Sequence, residues 1–401
     1  MRKIHLLYLL LVFTFNACSD LDNNPIEESK ENIAIDKIKG RIPNLSYNKN
    51  ANNKSRSKLS FKEEKDLALQ INKYINQGYE EIEIPMGNYK IYKTIRLKSD
   101  VKLSFDYDAI IRRDPSFKGA IIGNANTNSY IENVEISGGI FYSNENNGNI
   151  IKLKCNNSIF ENIIVENFRA IAFHLKGNNN LLQNLEVYGP TKKIGNKDWN
   201  GTAAIHVYQG EHNTIKNSIL NSGDDGVAFQ PEGNETISNS NVYNCTINSI
   251  EGASCVVGLP TESKGIVRDI IFNDIVGVVK DNALITIVNK SKRQEAYPEK
   301  SRVRNITFKK ISLKGEGEIR KGVAFRCHNG GWVSNIKITD CSFKGKFRDF
   351  GLDIRSSQKK SRNNRDVQII NTTIQGNKHW MPRCPVNFKV RRNKINKLPK
   401  C

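Results

Sequence analysis

Several things are scarce in this chain, and each scarcity removes a class of protein. No apolar run reaches the ~20 residues that a membrane-spanning helix needs; the run from Ile4 to Phe15 stops short of that. No Cys-x-x-Cys pair or His/Cys cluster occurs, so no zinc or other metal site is expected. No nucleic-acid-binding module is present, and no nucleic-acid partner is expected. Carboxylates are outnumbered, with 41 Asp and Glu against 61 Lys and Arg and a formal net charge of +20. A positive field of this kind concentrates anionic polymers.

The N-terminus gives the chain a destination. Met1-Arg2-Lys3 ahead of the apolar run reads as an export signal. The run ends Phe15-Asn16-Ala17-Cys18, with a small residue before cysteine, and resembles a bacterial lipoprotein signal. That resemblance implies a signal over 1–17, a lipidated Cys18 as membrane anchor, and a place in the bacterial envelope at the outer membrane or cell surface. Residues 18–57 are rich in Asn, Lys, Ser and Glu and poor in large apolar residues, which predicts a flexible tether. Seven cysteines remain besides Cys18, an odd number that argues against a full disulfide framework. Most lie in strand-like runs, where cysteine serves as a small core residue; a bridge is expected only between Cys384 and Cys401. Residues 378–401 hold eight Lys or Arg and no acid, a basic tail that reads as a docking surface or a solvated end.

The middle of the chain repeats. AIAFHLKGNNNLLQNLEVYG from Ala170, AAIHVYQGEHNTIKNSILNSG from Ala203 and GVAFQPEGNETISNSNVYNC from Gly226 each give a β-rich run, a Gly/Asn turn and a second β-rich run. Asn162, Asn184, Asn217 and Asn239 mark equivalent points at spacings of 22, 33 and 22, the longer one holding an insertion near Gly189–Asn200. Asp269, Asn305 and Asn335 continue the series. Stacked units of this size make a solenoid with Asn ladders at its turns. A propeller would need four strands per 40–45 residues, and a sandwich would lack the repeat. Residues 59–80 carry apolar residues at helical spacing with Gly78 as a stop, predicting a capping helix ahead of the strands. The expected architecture is all-β: a single parallel β-helix domain over 58–377, monomeric.

Aligning the opening strands places AFHLKG, AIHVYQG, AFQPEG and AFRCHN in one column. Strand alternation then turns His174, His206, Gln230 and Arg326 outward, with Lys176, Tyr208, Glu232 and His328 two residues on. A polar ladder along a groove suits an extended polymer, and these eight are the expected substrate-binding residues. Asp224 and Asp225 adjoin it. Adjacent carboxylates split their pKa values, so one holds a proton while the other stays ionised, as acid/base cleavage of a glycosidic bond requires.

The order of capping helix, Ile-Pro-x-Gly-x-Tyr turn and many short strands resembles right-handed parallel β-helix proteins of the pectin-active kind. Ser222-Gly223-Asp224-Asp225-Gly226-Val227-Ala228-Phe229 is similar to the Asp-Asp signature of the polygalacturonase family of glycoside hydrolases. The resemblance implies hydrolysis of an acidic polysaccharide with inversion, with Asp224 as general acid and Asp225 in the water-activating base, and no cofactor. The chain departs from that family in three places. Gly201-Thr202-Ala203 stands where the family has Asn-Thr-Asp, Gly252-Ala253-Ser254 where it has Gly-His-Gly, and nothing near Leu284-Ile285-Thr286 matches its Arg-Ile-Lys. Arg326 is a candidate replacement cation. Other β-helix enzymes of polyanions use different catalytic sets, to which Gln209, Gln230, Glu232 and His206 are suited. A lyase or uronate epimerase would draw on His174, Lys176, His206, Tyr208 and Arg326, with calcium. A non-catalytic glycan binder is the third reading.

Overall fold

A computed structural model describes residues 59–401, apart from 64, 144–147, 190–201, 261–262, 290–301, 328–332, 357–364, 377–378, 381–387, 392 and 396–401. Cys18, the tether, the 190–201 insertion, His328, Cys384 and Cys401 therefore lie outside the described residues.

The helix spans Leu67–Asn76, shorter than the 59–80 periodicity suggests. Asp66 caps its start by accepting the Ala68 N–H at 3.0 Å, and Gly78 leaves it at a φ of +85°. Leu67, Ala68, Ile71 and Ile75 form its buried face and close the first coil.

The described strands form one sheet system in which every pairing is parallel. Each strand pairs with its counterpart one coil earlier and one coil later. Phe173 pairs with Ile205, Ile205 with Val227, Val227 with Cys255, and Cys255 with Ile285. These columns point inward and are fully buried, stacking into one continuous core. Phe229, Phe272 and Phe308 follow one another along it, edge-to-face at 5.8 Å and then stacked at 5.1 Å between ring centroids. Cys155, Cys245, Cys255, Cys327 and Cys341 are buried, as small core residues. Burial pushes the Cys155 thiol up to about 12, so it stays protonated.

The turns are sharper than a single Asn column would give. Each coil has two corners in the left-handed region, five residues apart: Asn157 and Asn162, Asn179 and Asn184, His212 and Asn217, Asn239 and Asn244, Asp269 and Asp274. Asn, Asp and occasionally His tolerate this conformation best among non-glycine residues. Asn184 donates to Asn162 at 3.2 Å and Asn244 to Asn217 at 2.9 Å along one corner. Asn305 donates to Asp269 at 2.7 Å and Asn335 to Asn305 at 2.8 Å along the other. Asn239 thus belongs with Asp269, Asn305 and Asn335, not with Asn162, Asn184 and Asn217. Spacing alone could not separate two columns of the same residue type.

The stack also continues past residue 377. Lys389–Arg391 pairs with Gln368–Ile370, and Lys394–Ile395 with Thr373–Ile374, so part of the basic tail is a further coil.

Candidate active site

Asp224 and Asp225 occupy the corner between Thr214–Ser222 and Val227–Phe229. Backbone bonds to both neighbouring coils hold this corner. The Asp224 N–H donates to Thr202 O at 2.9 Å, and the Ala204 N–H to Asp225 O at 3.1 Å. Ser222 Oγ donates to Asp224 O at 3.0 Å, and Ser249 Oγ donates to the same carbonyl. Asp225 Oδ1 accepts the Ala253 N–H at 3.1 Å.

Gly252, on the following coil, makes room for both carboxylates. A Cβ there would meet Asp224 Oδ1 and Asp225 Oδ1 at 2.5 Å each. The two oxygens therefore share one small space and lie no more than about 5 Å apart. An inverting pair needs roughly 6.5–9.5 Å to hold water between its carboxyls. At these two oxygens the pair is closer than that separation. Burial, and next the Asp224 charge, push the Asp225 carboxyl up to about 7, opposed by the Ala253 N–H and by Arg326. That raised value belongs to the Asp224–Asp225 pair, which shares its proton.

Arg326 reaches this corner from three coils on. Its Nη2 donates to Asn282 Oδ1 at 2.7 Å. Burial lowers its pKa, while Asp225, Asp353 and Asp224 all favour its charge. Asp353 is itself buried against Lys321 Nζ at 2.6 Å. The Arg326 charge thus acts across the coils on Asp224, Asp225 and Asp353.

The register differs from the expected columns. His174 pairs with His206, but His206 pairs with Ala228, whose column continues to Val256, Thr286, Ala324 and Asp353. Gln230 and Arg326 lie two residues further along than Ala228 and Ala324, Arg326 opposite Val288; Lys176 pairs with Gln209 across a register shift, not with Tyr208. Val227 and Phe229 both point inward, so alternation alone fits either register. The Asp-Asp-Gly corner selects the other one.

The histidines are covered rather than solvated. The Tyr208 ring stacks on His206 at 3.8 Å and on His174 at 4.2 Å. His174 is 8% exposed, and its Nδ1 meets Asn149 Nδ2 at 3.4 Å. Burial first, then Lys152 and Lys176, take His174 down to about 3. Burial and then His174 do the same to His206. Burial also pushes Tyr208 up, so all three are neutral at neutral pH. Lys176 Nζ pairs with Glu232 Oε2 at 2.8 Å, across columns rather than within one. Gln209 Oε1 accepts the Tyr130 hydroxyl at 2.7 Å.

Sequence reasoning named the acid pair and Arg326 as candidates; Gly252, Asn282 and the Lys321–Asp353 pair beside them were not among its candidates. Gly252 carried a signal, since its tripeptide occupies the place of a family motif, but a glycine announces no chemistry.

No protein-family model and no curated protein sequence matches the chain. Solved structures do match. The polygalacturonase of Erwinia carotovora superposes with a TM-score of 0.57 at 14% identity, over 82% of this chain and 92% of that one. The chain has the parallel β-helix fold of the polygalacturonases. The catalytic domain of a family-87 α-1,3-glucanase in complex with nigerose matches with a TM-score of 0.56 at 15% identity, over 86% of this chain. The chain spans 66% of that domain's length. PfbA, a surface adhesin of Streptococcus pneumoniae, matches with a TM-score of 0.52 at 12% identity, over 78% of this chain and 82% of the adhesin.

Proposed function

We propose that this protein is a glycoside hydrolase acting on an anionic polysaccharide. The observation that carries the reading is the carboxylate pair packed against Gly252, with Asp225 raised to about 7. A carboxyl with that pKa is protonated often enough at neutral pH to donate to a leaving glycosidic oxygen. Asp224, held beside it, faces the positive charge that develops at the anomeric carbon; water adds to that carbon, and its proton restores Asp225. Arg326 offers a cation near the cleavage point for a carboxylate or sulfate of the substrate. Two solved complexes of the glucanase carry alanine in place of one of two consecutive aspartates, a parallel that supports attention to this pair. The right-handed winding and the envelope tether through Cys18 complete the proposal.

The test is incubation with a panel of purified anionic polysaccharides, reading reducing ends and ultraviolet absorbance together. New reducing ends without absorbance, reduced at least about a hundredfold in Asp225→Asn, fit the proposal. Unsaturated, absorbing ends would make the protein a lyase instead.

One observation favours a non-catalytic binder. Ala203, where polygalacturonases resembling this chain carry a third aspartate, is buried beside Asp225 and leaves no carboxylate there. An adhesin shares the fold. That reading predicts binding with no change in polymer length.

A further inference from the structure

Two outward strand faces change character along the stack. On the strand between the two corners, the column of Glu161 passes through Gln183, Lys216, Tyr243 and Asn273 to Lys309 and ends at Arg391. Beside it, Thr307 pairs with Lys337, and that column ends at Lys389. On the strand past the second corner, Glu186 gives way to Ile219 and Val276 and finally to Lys394. The neighbouring column runs from Glu166 to Lys314 and Lys344. In these columns no Asp or Glu stands from Thr307 onward. The corner between them carries Asp340, which accepts from Asn371 Nδ2 at 2.7 Å. Glu316 and Glu318, just beyond, face Lys280 and Lys346.

The cations are exposed and in register. Lys314 pairs directly with Lys344, so their stems repeat at the strand spacing of ~4.8 Å. Ser312, Ser342 and Thr373 fill the positions beside them. Lys344 and Lys394 flank a hollow of about 530 Å³ that Thr373, Gln375 and Asn393 also line. Hydroxyl and amide groups between fixed cations suit a chain bearing both hydroxyls and regularly spaced anions. These columns carry no aromatic residue after Tyr243, so they offer no stacking platform for nucleic-acid bases. The exposed large apolar residues among the described ones all precede residue 277, so the described residues of the last coils offer none to insert into a bilayer.

We infer that the last coils bind an anionic polysaccharide chain laid across Lys314, Lys344 and Lys394. This surface lies on the strand that leads into the Asp224–Asp225 corner, but three or more coils further along the stack. It holds the polymer whether or not the acid pair cleaves it.

The experiment measures binding of the full chain to immobilised dextran sulfate at ~0.15 M salt. The triple variant Lys314→Glu, Lys344→Glu, Lys394→Glu is compared with a control, Lys65→Glu, Lys90→Glu, Lys93→Glu, carrying the same change in net charge. Circular dichroism checks that both fold, and a Lys→Gln triple replaces the first if it does not. The expected result is at least about tenfold weaker binding for the first triple and less than twofold change for the control. Equal loss in both variants would reduce the effect to bulk charge and overturn the inference. So would an unbound wild-type chain, or tighter binding of that chain to phosphatidylglycerol vesicles than to dextran sulfate.

Discussion

The histidine layer and the acid pair of this β-helix, both buried, start from the same physics and end in different places. Burial disfavours charge in both. It takes the His174 and His206 imidazoles down to about 3, so they are neutral over the whole physiological range. It takes Asp225 up to about 7, because the Asp224 charge adds to burial. Only the acid pair therefore sits where a proton moves at ambient pH. Paired histidines in register look like chemistry in a sequence, yet they form a packed layer against Tyr208. The carboxylates look like an Asp-Asp-Gly turn, and the fold makes them the poised group.

Gly252→Ala should break the contrast most severely, because its Cβ would enter the space of both carboxylates. Turnover in the polysaccharide assay should fall at least about a hundredfold, with about 1–3 kcal/mol lost from stability in denaturant melts. An unchanged rate would separate activity from the pair.

The histidine side of the comparison is sharpened by acid. A folded pKa of about 3 lies below the unfolded value of ~6.5, so the unfolded chain binds the extra proton between those limits. Stability from this source is present above ~6.5 and is lost as pH falls toward 3. His174→Gln should therefore lose fewer degrees of Tm than the parent between pH 7 and pH 4, by thermal melts at each pH. Asp225 acts with the opposite sign: its proton stays bound in the folded state, so it destabilises as pH rises from ~3.8 through about 7. An identical pH dependence in the histidine variant would mean that His174 is not held neutral.

Much of this was legible in the residues. The repeat predicted stacked coils, the Asn positions predicted left-handed corners, and the cysteines read as core. The adjacent aspartates read as a split pair. What escaped had physical causes. Alternation repeats every two residues, so Gln230 could slide by two against His206 without turning an apolar side chain outward. Two Asn corners per coil mimic one. Gly252 matters for the side chain it lacks, and Asn282 acts only through Arg326, which arrives from later in the chain.

The most direct measurement is a carboxyl titration by ¹³C NMR on aspartate-labelled protein. One resonance, absent in Asp225→Asn, should titrate near pH 7. In Arg326→Gln it should move to higher pH, because Arg326 holds that value down. If every aspartate titrated within the ordinary carboxylate range near pH 4, the poised acid pair would not exist and the proposed site would fall with it.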